Sequence, residues 1–392
     1  MSDSRVNSKI PVERHFAGKV LVTGAAGHLG ANLVHELLRQ GRDVRVMLRD
    51  GSNNAAMDGL PVERLRGDLR DPRACDEAVR DCETVYHCAA KLSTINGNQS
   101  EKREIFECNV LGTRNILRAA RAAGVERTVV TGSFSAVGHD LDEPGRPADE
   151  TVPFFPFEHH LPYARSKVLV EHECLKAAVE GQDVVIATSC AILGPHDYKP
   201  SRMGQVLIDL THGRLRAYIP GGGFEFVAAR DIVAGHLLAM SRGRSGQKYV
   251  FASEWNSLED VLKIYSEVSG KPLPRLRLPA PLLQPIAEIT NFLLANFFPN
   301  APQGRLTPAA IRILTLQRRA DLTKAKTELG YEPTDIRSAV AEAYDDFARR
   351  GLVPRRPQVQ VPVKPAAPRF EARAAAPARE PVVTEINSRA TA

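Results

Sequence analysis

With 392 residues, 43 % of them hydrophobic and 25 % charged, the chain can bury a sizeable core, and it predicts one large domain or two interleaved ones. The formal charge of +6 is concentrated at the end: from Gly351 onward there are seven Arg or Lys against three Glu, so the remainder is nearly neutral and no basic stripe argues for nucleic acid. No run reaches the roughly 20 uninterrupted apolar residues of a membrane span, and Met1 to Lys19 lacks an apolar signal segment, so no stable membrane insertion is expected.

Six cysteines (Cys75, Cys82, Cys88, Cys108, Cys174 and Cys190) form no CxxC pair and no His-interleaved ligand spacing. They read as reduced, buried thiols, which fits a cytoplasmic protein without a metal site.

Val20 to Thr23 is a short apolar run that breaks into Gly24-Ala25-Ala26-Gly27-His28-Leu29-Gly30, and a periodic helix follows from Ala31 to Gln40. Strand, glycine turn and helix is the setting in which a backbone can approach a dinucleotide pyrophosphate and present helix N–H groups to it. A plain tight turn is the competing reading. Asp43 to Arg49 is an alternating strand about 20 residues further on, where dinucleotide folds place the group that reads the ribose. It ends in Arg49, which favours NADP(H) over NAD(H); the alternative is that Arg49 stacks on adenine while Asp50 or a backbone group takes the ribose.

A third strand, Val62 to Arg66, leads to Gly67-Asp68-Leu69, and a fourth, Thr84 to His87, leads to Cys88-Ala89-Ala90. Both turns follow strand C-termini, the edge where open parallel sheets bind ligands. Asp68 can accept from the adenine amino group, or cap the helix Asp71 to Val79. Ala89 and Ala90 are small enough for a cofactor to pass closely. A long helix from Arg103 to Ala123 precedes a fifth strand, Arg127 to Thr131, and then Gly132-Ser133. Ser133 reads either as a turn residue or as a hydroxyl that binds a carbonyl.

Pro162 suits the first turn of a helix running through Lys176. Tyr163 and Lys167, four apart, share one face, and an ammonium beside a phenol is expected to lower its pKa from about 10. Val184 to Ala187 is a sixth strand. The alternation throughout predicts an α/β fold with a doubly wound parallel sheet.

Taken together, Gly24-x-x-Gly27-x-x-Gly30, Gly67-Asp68-Leu69, His87-Cys88-Ala89-Ala90, Asn109-Val-Leu-Gly-Thr113, Thr131-Gly-Ser133 and Tyr163-x-x-x-Lys167 resemble, in order and spacing, the extended short-chain dehydrogenase/reductases. Gly194-Pro195, Arg230-Asp231-Ile232-Val233 and Glu328-Leu329-Gly330-Tyr331 extend the likeness over residues 18 to 350, nearest to the dihydroflavonol-reductase-like branch of the NAD-dependent epimerase/dehydratase group. The resemblance implies a Rossmann domain over 18–190, a smaller interleaved substrate domain mainly over 191–350, and cofactor contacts from Gly24, Gly27, His28, Leu29, Gly30, Arg49, Asp68, Leu69, Ala89, Ala90, Tyr163 and Lys167. It implies hydride transfer at a carbonyl carbon, with Tyr163 as proton donor or acceptor, Ser133 polarising the oxygen, and Lys167 binding the nicotinamide ribose. Two departures stand out. Phe224 lies in the segment where nucleotide-sugar epimerases often carry an Arg for the substrate diphosphate, with Arg202 or Arg230 as possible substitutes. Ser189 stands where a proline is common beside the nicotinamide.

On the substrate side, Phe154-Phe155-Pro156-Phe157-Glu158-His159-His160 is an aromatic run next to Tyr163, read as pocket lining or as simple packing. Lys91, His139, Tyr198 and Arg202 are further polar candidates, and His159 and His160 have no partner at metal-ligand spacing. Leu282 to Phe298 is an apolar segment containing Pro285 and Glu288. It reads as a helix that caps the pocket, in preference to one that touches a membrane, because its polar face is short of Lys and Arg. Helices over Ser257 to Ser269, Leu322 to Leu329 and Ile336 to Arg349 complete the substrate domain. Residues 1–17 read as an extension and 351–392 as a disordered tail.

The sequence therefore predicts an NAD(P)-dependent oxidoreductase that reduces a ketone, or oxidises the alcohol, of a largely apolar small molecule. A nucleotide-sugar epimerase or dehydratase with tightly held NAD, and a non-catalytic NAD(P)-sensing protein, are the alternatives. A homodimer is compatible with the sequence.

Overall fold

The computed structural model describes residues 13–92, 99–138, 142–143, 145–154, 161–297 and 308–356. His139, the run from Phe155 to His160 and the tail beyond Arg356 lie outside the described residues.

In the first part of the chain, strands β1 (Val20–Thr23), β2 (Val44–Leu48), β3 (Glu63–Arg66), β4 (Thr84–His87), β5 (Arg127–Ser133) and β6 (Val184–Ser189) alternate with helices α1 (His28–Arg39), α2 (Pro72–Val79), α3 (Gln99–Phe106), α4 (Gly112–Ala122) and α5 (Pro162–Val179). Then come β7 (Ala191–Leu193), α6 (Arg202–Thr211), β8 (Ala217–Tyr218), β9 (Gly223–Ala228), α7 (Ala229–Arg242), β10 (Lys248–Phe251) and β11 (Glu254–Ser257). The chain continues through α8 (Leu258–Ser269), β12 (Leu276–Arg277), α9 (Ala280–Phe297), α10 (Pro308–Thr315) and α11 (Ile336–Arg349).

Seven strands form one sheet in the order β10-β6-β5-β4-β1-β2-β3, every pairing parallel. Strands buried on both faces read as unbroken apolar runs, as Val20-Leu21-Val22 and Val184-Val185-Ile186 do. On one face α1 and α7 bury Leu33, Leu37, Ile232 and Val233 against the sheet; on the other, α2, α4 and α5 contribute Cys75, Val79, Ile116, Leu117 and Val170. The order of strands reverses between β1 and β4, and the crevice beyond their C-termini is where such sheets bind ligands. The sequence reading missed β10. It is a four-residue run entered from Gly246 after α7, and it supplies the seventh strand from beyond residue 190.

Where one helix was expected from Arg103 to Ala123, α3 and α4 are joined by a wider π-type turn, Glu107–Leu111, which carries Asn109 inward. Such bulges recur at functional sites. The second core belongs to the C-terminal part. A three-stranded sheet of β7, β9 and β11 and the helices α6, α8 and α11 enclose Leu207, Phe226, Tyr265, Val340 and Phe347. Ser257 caps α8 by accepting from Asp260 N, and Asp335 caps α11. α9 continues through Pro285.

Candidate active site

The glycine turn is built by sterics. Gly24 has φ +69°, a left-handed conformation that favours glycine, and a Cβ there would lie 2.6 Å from the Ala89 backbone. A Cβ on Gly30 would meet the Gly24 carbonyl at 2.2 Å, so α1 packs down onto the turn only as glycine. Gly27 is the N-cap of α1 and offers no side-chain cap, leaving the N–H groups at the start of that helix, where His28 and Leu29 sit, available to an anion. The turn thus fits a pyrophosphate. The His28 ring is bonded to the Gly194 carbonyl (3.2 Å), and Leu29 is buried in the core.

At the ends of β2 and β3, Arg49, Asp50, Ser52, Asp68, Arg70 and Glu104 line an open cleft of ≈ 380 Å³. Arg49 is half exposed, 3.3 Å from Ser52 Oγ and 4.0 Å from Glu104. Asp68 does not cap α2; Asp71 does, accepting from Arg73 N at 2.9 Å. The Asp68 carboxylate instead grips Arg70, through Nε at 3.0 Å and Nη2 at 2.7 Å, and that pairing holds its pKa below the usual range. The Leu69 carbonyl accepts from Asn115 (2.9 Å), which fixes this turn against α4.

Ser133 ends β5, and Tyr163 and Lys167 occupy the first turns of α5 behind Pro162 at its first position. The structure brings Tyr163 to Ser133 and sets Lys167 against Thr131 of the same strand. The Tyr163 phenol faces the Ser133 side chain, which acts to lower its pKa, and Ser133 Oγ lies 2.8 Å from Ser135 Oγ. Lys167 is buried, and its Nζ donates to the Thr131 carbonyl at 2.8 Å. Burial pulls the ammonium down to about 8. Burial also pushes the Tyr163 phenol up to about 12, and the Ser133 contact offsets only part of that. The expected depression of the phenol by Lys167 is therefore reversed, because desolvation outweighs a cation turned toward a backbone carbonyl.

Three polar groups beneath the site carry no assigned role in the sequence reading, although His87 and Asn109 stand in its motifs. Asn109 accepts from Lys91 N (2.7 Å) and donates to Ser166 Oγ (2.9 Å). His236 on α7 lies 2.9 Å from Thr131 Oγ1, and His87 bridges Thr23 Oγ1 (2.7 Å) and Thr113 Oγ1 (2.9 Å). The available signal was a polar residue inside an otherwise apolar strand or helix face, as at His87, Thr131 and His236.

Toward the substrate side, Ser189 is buried and bonds the Cys190 carbonyl. Phe224 packs edge-on against Phe226, 6.0 Å away, and joins the apolar cluster around Ile219 and Leu314. Arg230 does not replace the missing diphosphate ligand: its guanidinium is committed to Thr334, Ser338 and Glu342, tying α7 to α11. Tyr198 is stacked under Arg350 (4.5 Å), and Lys91 pairs with Glu104. Burial pulls the Arg202 pKa below its ordinary value. Arg318 lies over the Phe134 ring (4.8 Å) and donates to the carbonyls of Phe134, Val137 and Gly138, pinning the loop that follows Ser133. Glu225 accepts from Ala320 N, and burial pushes its carboxyl up to about 7. Among the described residues no group of His, Cys, Asp or Glu could hold a metal ion.

The profile of the NAD dependent epimerase/dehydratase family matches residues 20–252. The chain is 43 % identical over 333 residues to "Sterol demethylase protein B" of Methylococcus capsulatus, an alignment covering 85 % of this chain and 99 % of the relative. It is 35 % identical to a "Putative dihydroflavonol 4-reductase" of Synechocystis (85 % and 95 % covered). It is 30 % identical to a "3 beta-hydroxysteroid dehydrogenase/Delta 5-->4-isomerase" of Mycobacterium tuberculosis (81 % and 86 %). Among solved structures, that of gox2253 superposes with a TM-score of 0.73 at 31 % identity, covering 85 % of this chain and 99 % of the other. The parallel sheet and glycine turn agree with these likenesses, and the chain belongs to the NAD-dependent epimerase/dehydratase family of extended short-chain dehydrogenase/reductases.

Proposed function

We propose that this protein interconverts a secondary alcohol and a ketone on a sterol-like, largely apolar substrate, using NAD(P) and the residues Ser133, Tyr163 and Lys167. The observation that carries this reading is that Tyr163, in the first turn of α5, faces Ser133 at the end of β5, so that two hydroxyls converge where a carbonyl oxygen can be bound and protonated. In reduction, NAD(P)H, when bound, would supply the hydride to the carbonyl carbon. Tyr163, protonated near neutrality with its pKa at about 12, gives its proton to the oxygen and regains one from solvent. Ser133 donates to the developing alkoxide, and Lys167 carries positive charge beneath the site. Oxidation runs through the same groups in reverse.

The sterol class is supported by the names of the relatives, and by Phe224, an apolar side chain packed into the cluster around Ile219 and Leu314 where a diphosphate-binding cation would stand. A nucleotide sugar is disfavoured because Arg230 is occupied within the fold. We further assign Arg49, at the mouth of the cleft beyond β2, to the 2′-phosphate of NADP(H). Gly24, Gly27 and Gly30 take the pyrophosphate, with His28 and Leu29 at the helix start, and Asp68, Leu69, Ala89 and Ala90 flank the adenosine and nicotinamide halves.

The test is to incubate the protein with 3-hydroxysterols, 3-ketosterols and UDP-glucose, each with NAD or NADP in the matching redox state, and to follow reduced nicotinamide together with product mass. Stoichiometric cofactor turnover with a sterol is expected. Isomerisation of the UDP-sugar without net cofactor change, and no sterol turnover, would overturn the proposal.

A further inference from the structure

We infer that the outer face of α9, with the basic strand β12 that leads into it, docks on the surface of an anionic lipid bilayer. This inference stands independently of the substrate named above.

Over its described side chains, residues 280–290, α9 has two apolar faces, one packed into the fold and one exposed. On the inner side Ala287 is buried and Leu283 packs beside it, in a cluster with Ile219, Ile311 and Leu314. On the outer side Leu282, Ile286 and Ile289 are 64 %, 60 % and 62 % exposed, and at positions i, i+4 and i+7 they form one stripe. The acidic side chain of this half, Glu288, lies off that stripe and is bonded to Gln284 at 2.8 Å. Single exposed apolar residues are ordinary, whereas three large aliphatics aligned on one helix face are an interaction surface.

Charge selects the partner. Three residues before α9, β12 carries Leu276, 53 % exposed, next to Arg277, and exposed Arg275 precedes it. β12 pairs with β8, which brings exposed Arg216 alongside, and Lys271 is exposed a few residues upstream. Glu259 neutralises Arg277 in part, at 3.0 Å. An apolar stripe rimmed by cations is the pattern of an interfacial helix: aliphatic side chains enter the boundary below the headgroups while Lys and Arg meet lipid phosphates. The sequence reading set the membrane aside because the polar face of α9 is short of Lys and Arg; the structure places cations at the β8–β12 pair that precedes it, Arg277 on β12 and Arg216 and Arg275 one residue before each strand. No described helix is long and apolar enough to cross a membrane, so docking is peripheral.

The position also suits delivery of a poorly soluble substrate. α10 packs Ile311 and Leu314 under α9, while Ile313 and Leu316 reach Leu161 and Ala164, which flank Tyr163. The docking face is therefore one helix layer from the proposed proton donor.

The test is vesicle co-sedimentation of the full chain with phosphatidylcholine alone and with added phosphatidylglycerol. Wild type should sediment with the anionic vesicles, less so at high salt. Leu282→Gln/Ile286→Gln/Ile289→Gln should lower the bound fraction by about tenfold or more, with its thermal midpoint and cofactor-dependent stabilisation retained. Lys271→Glu/Arg275→Glu should remove the preference for phosphatidylglycerol. The proposal is overturned if wild type stays in the supernatant with both vesicles, or if the triple variant sediments like wild type. It is equally overturned if sedimentation velocity shows the triple variant dissociating a dimer, which would give the stripe to a second copy of the chain.

Discussion

Asn109 Nδ2 donates to Ser166 Oγ at 2.9 Å, and through Ser166, whose hydroxyl donates to the Tyr163 carbonyl at 2.7 Å, the π-type turn is fastened to the first turn of α5. Asn109 also accepts from Lys91 N and donates to Lys91 O (3.1 Å), so one buried amide joins the loop after β4 to the helix carrying Tyr163 and Lys167. Asn109→Ala would leave a backbone donor and a hydroxyl without their partner, at a cost of about 1–3 kcal/mol. Turnover should fall while NADPH affinity, read by fluorescence titration, stays near wild type. Unchanged turnover would mean that Tyr163 is positioned by the rest of α5 alone.

Tyr163→Phe removes only the hydroxyl at a position already packed against Ser133. Cofactor binding should be retained and turnover should drop by about 10²–10⁴-fold, the usual worth of a positioned proton donor. Activity close to wild type in steady-state assays would remove Tyr163 from the proposed chemistry.

Arg49→Asp replaces a half-exposed cation with a ribose-type acceptor at the end of β2. The ratio of NADPH to NADH affinity should move toward NADH by on the order of tenfold or more, since a charge-assisted phosphate contact is exchanged for repulsion. An unchanged ratio by titration calorimetry would place the 2′-phosphate elsewhere.

Two buried histidines give stability a defined pH dependence. Burial holds His87 at about 3 and His236 at about 4, against an ordinary 6.5, and the Lys167 charge adds to both. His236 Nδ1 donates to the Ile232 carbonyl (2.8 Å) and its Nε2 accepts from Thr131, so each ring position is already satisfied in the neutral form. The unfolded chain binds these protons first. Their stabilisation is complete above about 6.5 and is lost as pH falls toward the folded values, amounting to about 2 kcal/mol per histidine at pH 5. Urea unfolding at about pH 7.5 and about pH 5 should show that loss, and His236→Phe should remove about half of the difference. An equal pH dependence in that variant would assign the acid sensitivity to other groups.

Much of this architecture is legible in the residues. Unbroken apolar runs such as Val20-Leu21-Val22 announce strands covered on both faces, and Pro162 and Ser257 mark helix starts that the structure reproduces. Gly24 and Gly30 could be read because their chemistry is local: one needs a positive φ, the other a close approach. What escaped depends on long-range packing. Asp68 and Asp71 are equivalent caps on paper, and only the position of Arg70 decides between them. The direction of the Tyr163 shift depends on burial that the spacing to Lys167 does not express, and the role of Arg318 depends on a loop more than 180 residues earlier in the chain.

The last strand of the large sheet, β10, comes from within the segment that builds the second core, and it pairs in parallel with β6 from Lys248 to Phe251. Lys248 reaches back to Glu171 on α5 at 3.1 Å, both side chains nearly out of solvent, and a pair of that kind costs about 3–5 kcal/mol when one partner is removed. A fragment stopping after β6 would present an open sheet edge and strand the Glu171 carboxylate one turn from Lys167. The two cores are thus stitched rather than joined end to end. Such a chain cannot trade its second core for another by simple exchange of modules; any new specificity there has to be written residue by residue into a segment that also completes the large sheet.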